Sequence, residues 1–175
     1  MVLGENELMI RCMREELPAG EKQEKKDTLR AYYKVWSAFT KFIQGQCARN
    51  VLVHVEELGS FFRKKNAAGN YEHCFCPSST LLDGFKFIED GNNFSSIALA
   101  AKDGGEELGT PWRGEITLSY GSIGDVCLLE RDRVKKMLAS LITKMHELSK
   151  AGYEIRLDLK VGELILFPSS IIHFT

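Results

Sequence analysis

"VLVHVEELGSFFRKK" (residues 51–65) alternates apolar and polar side chains through Val51, Val53 and Val55, breaks at Leu58-Gly59, and resumes at Phe61 and Phe62. Apolar residues at a period of two share one face of a strand, and glycine permits a bend that a Cβ resists, so the stretch reads as a β-hairpin. The chain nearly repeats it at 153–167, "YEIRLDLKVGELILF": Ile155, Leu157 and Leu159 alternate, Gly162 bends the chain, and Leu164 to Phe167 return. The spacing differs by one residue, Val55 to Gly59 against Leu159 to Gly162, which makes the second turn the shorter; a bulge absorbs such a slip. A long amphipathic helix pattern precedes each hairpin, so the order predicts two copies of one small α+β unit.

Working outward, residues 5–17 place Leu8, Met9, Cys12, Met13 and Leu17 at helical spacing, and Pro18 closes the segment. "AGEKQEKK" (19–26) reads as a charged connector. Asp27 or Thr28 is placed to cap a second helix, whose inward stripe is Leu29, Tyr32, Tyr33, Trp36, Phe39, Ile43 and Cys47. Burying such side chains stabilises by roughly 1.5–3 kcal/mol each. "KKNAAGNYEHCFCPSS" (64–79) continues the first hairpin as a strand tip and return, with Tyr71, His73 and Phe75 on one face, and "GFKFIEDGN" (84–92) is a short element followed by turn chemistry. The acidic, glycine-rich "AKDGGEELGTPWRG" (101–114) marks a boundary. It divides the chain into a first domain at 1–100, a linker at 101–113 and a second domain at 114–175. There "ITLSYGSIGDV" (116–126) is an entry segment, 130–151 a helix, Gly152 a left-handed C-terminal cap, and "PSS" (168–170) a turn into "IIHF".

A length of 175 residues suits one ordinary domain or two small ones, and small modules gain by leaning on each other because each alone buries less of its surface. The chain is 44% hydrophobic and 27% charged with a formal net charge of -1. Binding nucleic acid usually needs a basic excess to neutralise phosphates, and none is present. Five cysteines, an odd number in unrelated contexts, point to reduced thiols in a cytosolic compartment. Residues 1–18 do not read as a secretory signal, and no apolar run reaches the roughly 18 residues of a membrane span. A soluble intracellular protein is expected.

A helix, a long helix and a hairpin with an apolar-glycine-x-apolar turn together resemble the bacterial histone-like HU/IHF fold. The tandem order is more specific. "VWSAFTKFIQGQCARNVLVHVEELGSF" (35–61) resembles the first HU-type domain of the eukaryotic family named after coiled-coil domain-containing protein 81. "ITLSYGSIGD" (116–125) with "LERDRVKKMLASLITKMHELSKAGYEIRLDLKVGELIL" (129–166) resembles the second. The likeness covers about residues 26–174, although no heptad coiled coil follows the second domain. It implies a non-enzymatic protein of the cytoplasmic cytoskeleton, at the axoneme of a cilium or flagellum or at the centrosome, with partners along or inside doublet microtubules. HU domains work as dimers that share a helical core and embrace DNA with β-arms. Two on one chain are therefore expected to pair as a pseudo-dimer, each with helices and a three-stranded sheet.

DNA bending is the alternative function, but the arms carry little charge for it. The first offers Arg63, Lys64 and Lys65; the second, "LILFPSSIIHF" (164–174), has neither Lys nor Arg. Protein partners are expected instead. The three cations suit the acidic surface of tubulin, and the apolar last hairpin (Phe167, Ile171, Ile172, Phe174) reads as an edge strand open to pairing. Trp112 either staples the domains together or anchors a partner. "HCFC" (73–76) holds zinc-type ligands, yet Cys74 and Cys76 share one strand face, His73 lies on the other, and no second ligand pair follows; buried thiols are the simpler reading. No glycine-rich phosphate loop and no nucleophile-base pairing is evident. "GSIGD" (121–125) reads as a flexible cap between helices and His146 as a solvated helix residue. No catalytic, metal or cofactor residue is assigned.

Overall fold

A computed structural model of the chain describes residues 1–88 and 112–175. The first half runs β1 (Val2–Leu3), α1 (Glu5–Glu16), α2 (Lys22–Ala48), β2 (Val51–Val55), β3 (Gly59–Lys65), β4 (Tyr71–Pro77) and β5 (Lys86–Ile88). The second runs β6 (Gly114–Thr117), α3 (Tyr120–Cys127), α4 (Arg131–Lys150), β7 (Glu154–Asp158), β8 (Glu163–Phe167) and β9 (Ile171–Phe174). The architecture is α+β, with four helices and two sheets among the described residues. The acidic stretch of the expected linker and the turn expected after β5 lie outside them.

The helices form for local reasons. At the start of α1 the Gly4 N–H donates to the Glu7 carboxylate at 3.0 Å, and Glu5 and Glu7 sit at the positive end of the helix dipole. Leu8, Met9, Cys12 and Met13 make its buried stripe. α2 begins at Lys22, so most of the stretch expected to be a connector is helical. Its Lys, Gln and Glu are good helix formers, Gln23 donates to Asp27 one turn on, and lengthening an anchored helix adds a hydrogen bond for each residue fixed. Tyr32, Val35, Phe39, Ile43 and Cys47 face the core, whereas Tyr33, expected inward, is 41% exposed. Tyr33 is about 100° around the helix from Tyr32, and Val35 takes the inward place instead.

"GSIGD" is not a flexible cap but lies within α3. Ser119 accepts a hydrogen bond from the Ser122 N–H as N-cap, and Ile123 and Cys127 are buried. A Cβ on Gly124 would stand 2.5 Å from the Leu129 carbonyl oxygen, so this helix needs a residue without a side chain there. α4 buries Val134, Met137, Leu138, Leu141, Met145 and Leu148 and ends before Gly152, which turns the chain at φ +104°. Asn50, at φ +60°, makes the matching turn after α2.

In one sheet the order is β4-β3-β2-β6; in the other it is β1-β7-β8-β9-β5. Each hairpin is antiparallel, but the flanking entry strands are exchanged. β1 of the first half runs parallel to β7 of the second, with Leu3 beside Ile155. β6 of the second half runs parallel to β2 of the first, with Ile116 beside Val53. The helices follow: α1 packs on α4 as well as α2, and α3 packs on α2 as well as α4. A third crossing brings β5 parallel to β9, anchored by buried Leu81 and Phe85. One continuous apolar core results, drawing Leu8, Tyr32 and Val53 from the first half and Met137, Ile155 and Phe174 from the second.

Two expectations need correction. The second hairpin turn is longer than the first, not shorter: β7 pairs through Asp158 and Glu163, enclosing 159–162, where the first turn encloses only 56–58. Leu159, expected to end the strand, is fully buried within the turn. β9, expected as an apolar edge, is an interior strand between β8 and β5, and its alternation turns Ile172 and Phe174 into the core.

Candidate protein-binding surfaces

The arm formed by β3 and β4 runs out to the Lys65–Tyr71 pair. At its tip the Asn66 side-chain oxygen accepts from the N–H groups of Ala68 and Asn70, each at 3.0 Å, an Asx-type turn that fixes the loop. The three cations expected there have different fates. Arg63 reaches back to the C-terminal end of α2, donating to the Ala48 carbonyl at 3.2 Å and to the Asn50 side-chain oxygen, where a positive charge meets the negative end of the helix dipole. Its guanidinium lies 4.4 Å from the centre of the Tyr71 ring, so it is committed to the fold. Lys64 sits opposite Glu72, and Lys65 lies 5.6 Å from the Tyr71 ring. Burial, and then Arg63, lower the pKa of His73 below 6.5, which keeps the imidazole neutral at neutral pH.

At the last hairpin Phe167 and Ile171 pair next to the turn and remain partly exposed. Ile172 and Phe174 do not reach solvent: Phe174 meets Phe75 edge-on at 5.7 Å and Phe61 at 6.2 Å, joining the two sheets. Trp112 packs its ring 5.3 Å from Phe62 and, with Leu52, Cys74 and Cys76, covers the opposite face of the first sheet. Both faces at that end are therefore apolar, which explains why Cys74 and Phe75 are buried side by side on one strand. Among the described residues no group of three or more His, Cys, Asp or Glu is placed to hold a metal ion.

His146 is not a solvated helix residue. Its Nε2–H donates to the Asp83 carbonyl at 3.3 Å and its ring lies 5.0 Å from that of Phe85, pinning the segment before β5 onto α4. Sequence reading missed this because a histidine between Met145 and Glu147 carries no local sign of a partner sixty residues earlier.

Between α1, α2 and α4 lies a groove of about 440 Å³ lined by Cys12, Glu15, Glu16, Tyr32, Arg133 and Lys144. Several of its polar groups pair with one another. The Tyr32 hydroxyl donates to Glu16 at 3.3 Å, Arg133 pairs with Glu16, and Lys144 pairs with Glu15 and, at 3.5 Å, with Glu147. The Cys12 thiol donates to the Ser140 carbonyl at 3.6 Å. This arrangement latches α1 of one half to α4 of the other. Burial, opposed by Lys144, pushes the Cys12 thiol up to about 11, and burial opposed by Arg63 does the same for Cys47.

A raised thiol pKa means that the folded state holds its proton more tightly than the unfolded chain. The associated stability is complete below the ordinary value of 9.0 and is lost as pH rises toward 11. Chemical denaturation at pH 8 and pH 10.5 is expected to show a loss on the order of 2 kcal/mol for each of the two thiols. Replacing both by alanine should reduce that alkaline slope, leaving the part due to Tyr32, Tyr120 and Cys127, whose pKa values burial also raises, and an unchanged slope would remove the two thiols as its cause.

Among the described residues no helix is long and apolar enough to cross a membrane. Compared with protein-family models and with curated proteins, the chain matches none.

Proposed function

We propose that this chain is a non-enzymatic scaffold protein of the ciliary or centrosomal cytoskeleton, built from two HU-like units clasped as a pseudo-dimer and attached to neighbouring proteins of a microtubule lattice. The observation that supports it best is the reciprocal exchange: each half places its entry strand and short helix against the sheet and long helix of the other. An HU-type homodimer shares its core between two chains; here one chain supplies both parts. The neutral charge balance and the commitment of Arg63 to a helix end favour protein over DNA as the partner. The ciliary location rests on the sequence resemblance alone.

Lys64 and Lys65, at the end of the arm, are the cations available for an acidic lattice surface. Replacing both by Glu should reduce co-sedimentation with microtubules at least threefold at low salt while leaving the melting temperature within about 2 °C, since surface charge changes seldom alter stability much. Equal co-sedimentation would count against the arm as the contact. Arg63 should be left intact in that experiment, because its loss would disturb the end of α2. For the location, a tagged copy in ciliated cells should stay with detergent-extracted axonemes or centrosomes; a diffuse, fully extractable signal would overturn the reading, and nuclear retention with steeply salt-dependent DNA binding would favour the HU-type alternative.

A further inference from the structure

The two short helices begin alike and end differently. Cys12 follows the N-cap Gly4, and Cys127 the N-cap Ser119, at the same spacing, and both thiols are buried against the long helix of the other half. After Cys12, α1 continues with Met13, which is buried, and with Glu15 and Glu16, which pair with Lys144 and Arg133 on α4. After Cys127, α3 stops. Leu128 adopts a left-handed conformation at φ +58° and ψ +43°, is 88% exposed, and stands next to Val126, which is 76% exposed. A left-handed residue with a side chain costs roughly 1–2 kcal/mol, and an exposed leucine recovers none of it within the fold.

Beside Leu128 a face of α2 that no other described residue covers forms a groove of about 260 Å³ lined by Asp27, Arg30, Ala31, Lys34 and Leu129. Counted back from the left-handed residues Asn50 and Gly152, Lys34 matches Lys136 and Ala31 matches Arg133, two residues on α4 that line the groove beside α1, where Arg133 pairs with Glu16. Gln23 donates to Asp27, whereas neither Arg30 nor Lys34 has an ion-pair partner among the described residues. Among the described residues, an acidic, methionine-bearing helical turn thus flanks one such face and pairs with its cations, whereas the other has exposed apolar side chains and cations without an ion-pair partner.

We infer that this groove receives an acidic amphipathic helix of a partner protein, its apolar stripe against Leu128 and Val126 and its carboxylates on Arg30 and Lys34. The inference deepens the scaffold reading by giving a partner chemistry to a surface away from the arm. Because it is tested on purified protein, its outcome is separate from that of microtubule association.

The test measures fluorescence anisotropy of a labelled synthetic helical peptide, leucines on one stripe and glutamates on the flanks, against the full chain. A second peptide with lysine at every glutamate serves as counterpart. The acidic peptide should bind at least tenfold more tightly than the basic one. Leu128→Gly should weaken binding about tenfold while the melting temperature holds or rises, because glycine favours the left-handed conformation. Arg30→Glu with Lys34→Glu should weaken it to a similar extent and reduce its salt dependence. No binding of the acidic peptide, equal binding of both peptides, or full binding by both variants would overturn the proposal. So would self-association of the free chain that Leu128→Gly abolishes, since the occupant would then be a second copy.

Discussion

Replacing Gly162 by alanine should destabilise the protein by about 3 kcal/mol or more, and Gly59→Ala should do the same. The motif looks in the sequence like a simple bend, but the stronger constraint is steric. A Cβ on Gly162 would overlap the Phe174 ring, with one ring carbon at 2.5 Å, and would stand 2.6 Å from the Thr175 carbonyl oxygen. At Gly59 it would meet the Phe75 ring at 2.9 Å and the Cys76 carbonyl oxygen, in a backbone at φ +149° that side chains rarely adopt. Each ring sits on the third strand of its hairpin and touches the other across the core, so neither can retreat. Gly69 is the control. It has a positive φ of +83° but nothing within 4 Å of a Cβ, so Gly69→Ala should cost only about 1 kcal/mol. Urea denaturation of the three variants measures the contrast, and equal losses at all three would show that conformation rather than ring contact governs the turns.

Cut at position 110, the chain should yield two fragments that do not fold alone and regain structure when mixed. Without the first half, the second half loses β1, β5 and α1, and with them the buried Leu3, Leu8, Met9, Leu81 and Phe85. Removing five such side chains, at roughly 1.5–3 kcal/mol each, is comparable to the 5–15 kcal/mol by which an entire domain is usually stable. The first half in turn loses β6 and α3, leaving β2 and α2 uncovered. Fragments 1–110 and 111–175 should each lack a cooperative thermal transition, and the equimolar mixture should show one whose midpoint rises with concentration. Two fragments that each melt cooperatively, with no change on mixing, would contradict the shared core.

Much of the local structure was legible. Period-two alternation located both hairpins, helical spacing located α4, and Gly152 was recognisable as a left-handed cap, because these signals depend on residues a few positions apart. The start of α2 was not, since the connector's charge suggested solvent and hid its helix propensity. α3 was missed because two glycines weigh against a helix, and only the Leu129 carbonyl packed against Gly124 shows why a glycine is needed. Of the expected contact residues, Lys64 and Lys65 lie on the arm as foreseen, whereas Arg63, Ile172 and Phe174 are engaged within the fold. Trp112 could be read as staple or anchor, and it lies against Phe62.

Composition and periodicity by themselves determined that this chain folds as α+β with two hairpins, each behind a long helix. Only the tertiary structure decided which half owns which strand. A parallel entry strand satisfies its backbone hydrogen bonds equally well on either sheet, so no local pattern distinguishes the two. The choice is made by contacts between residues more than a hundred positions apart, Leu3 beside Ile155 and Glu16 against Arg133, whose pairing no window of sequence contains.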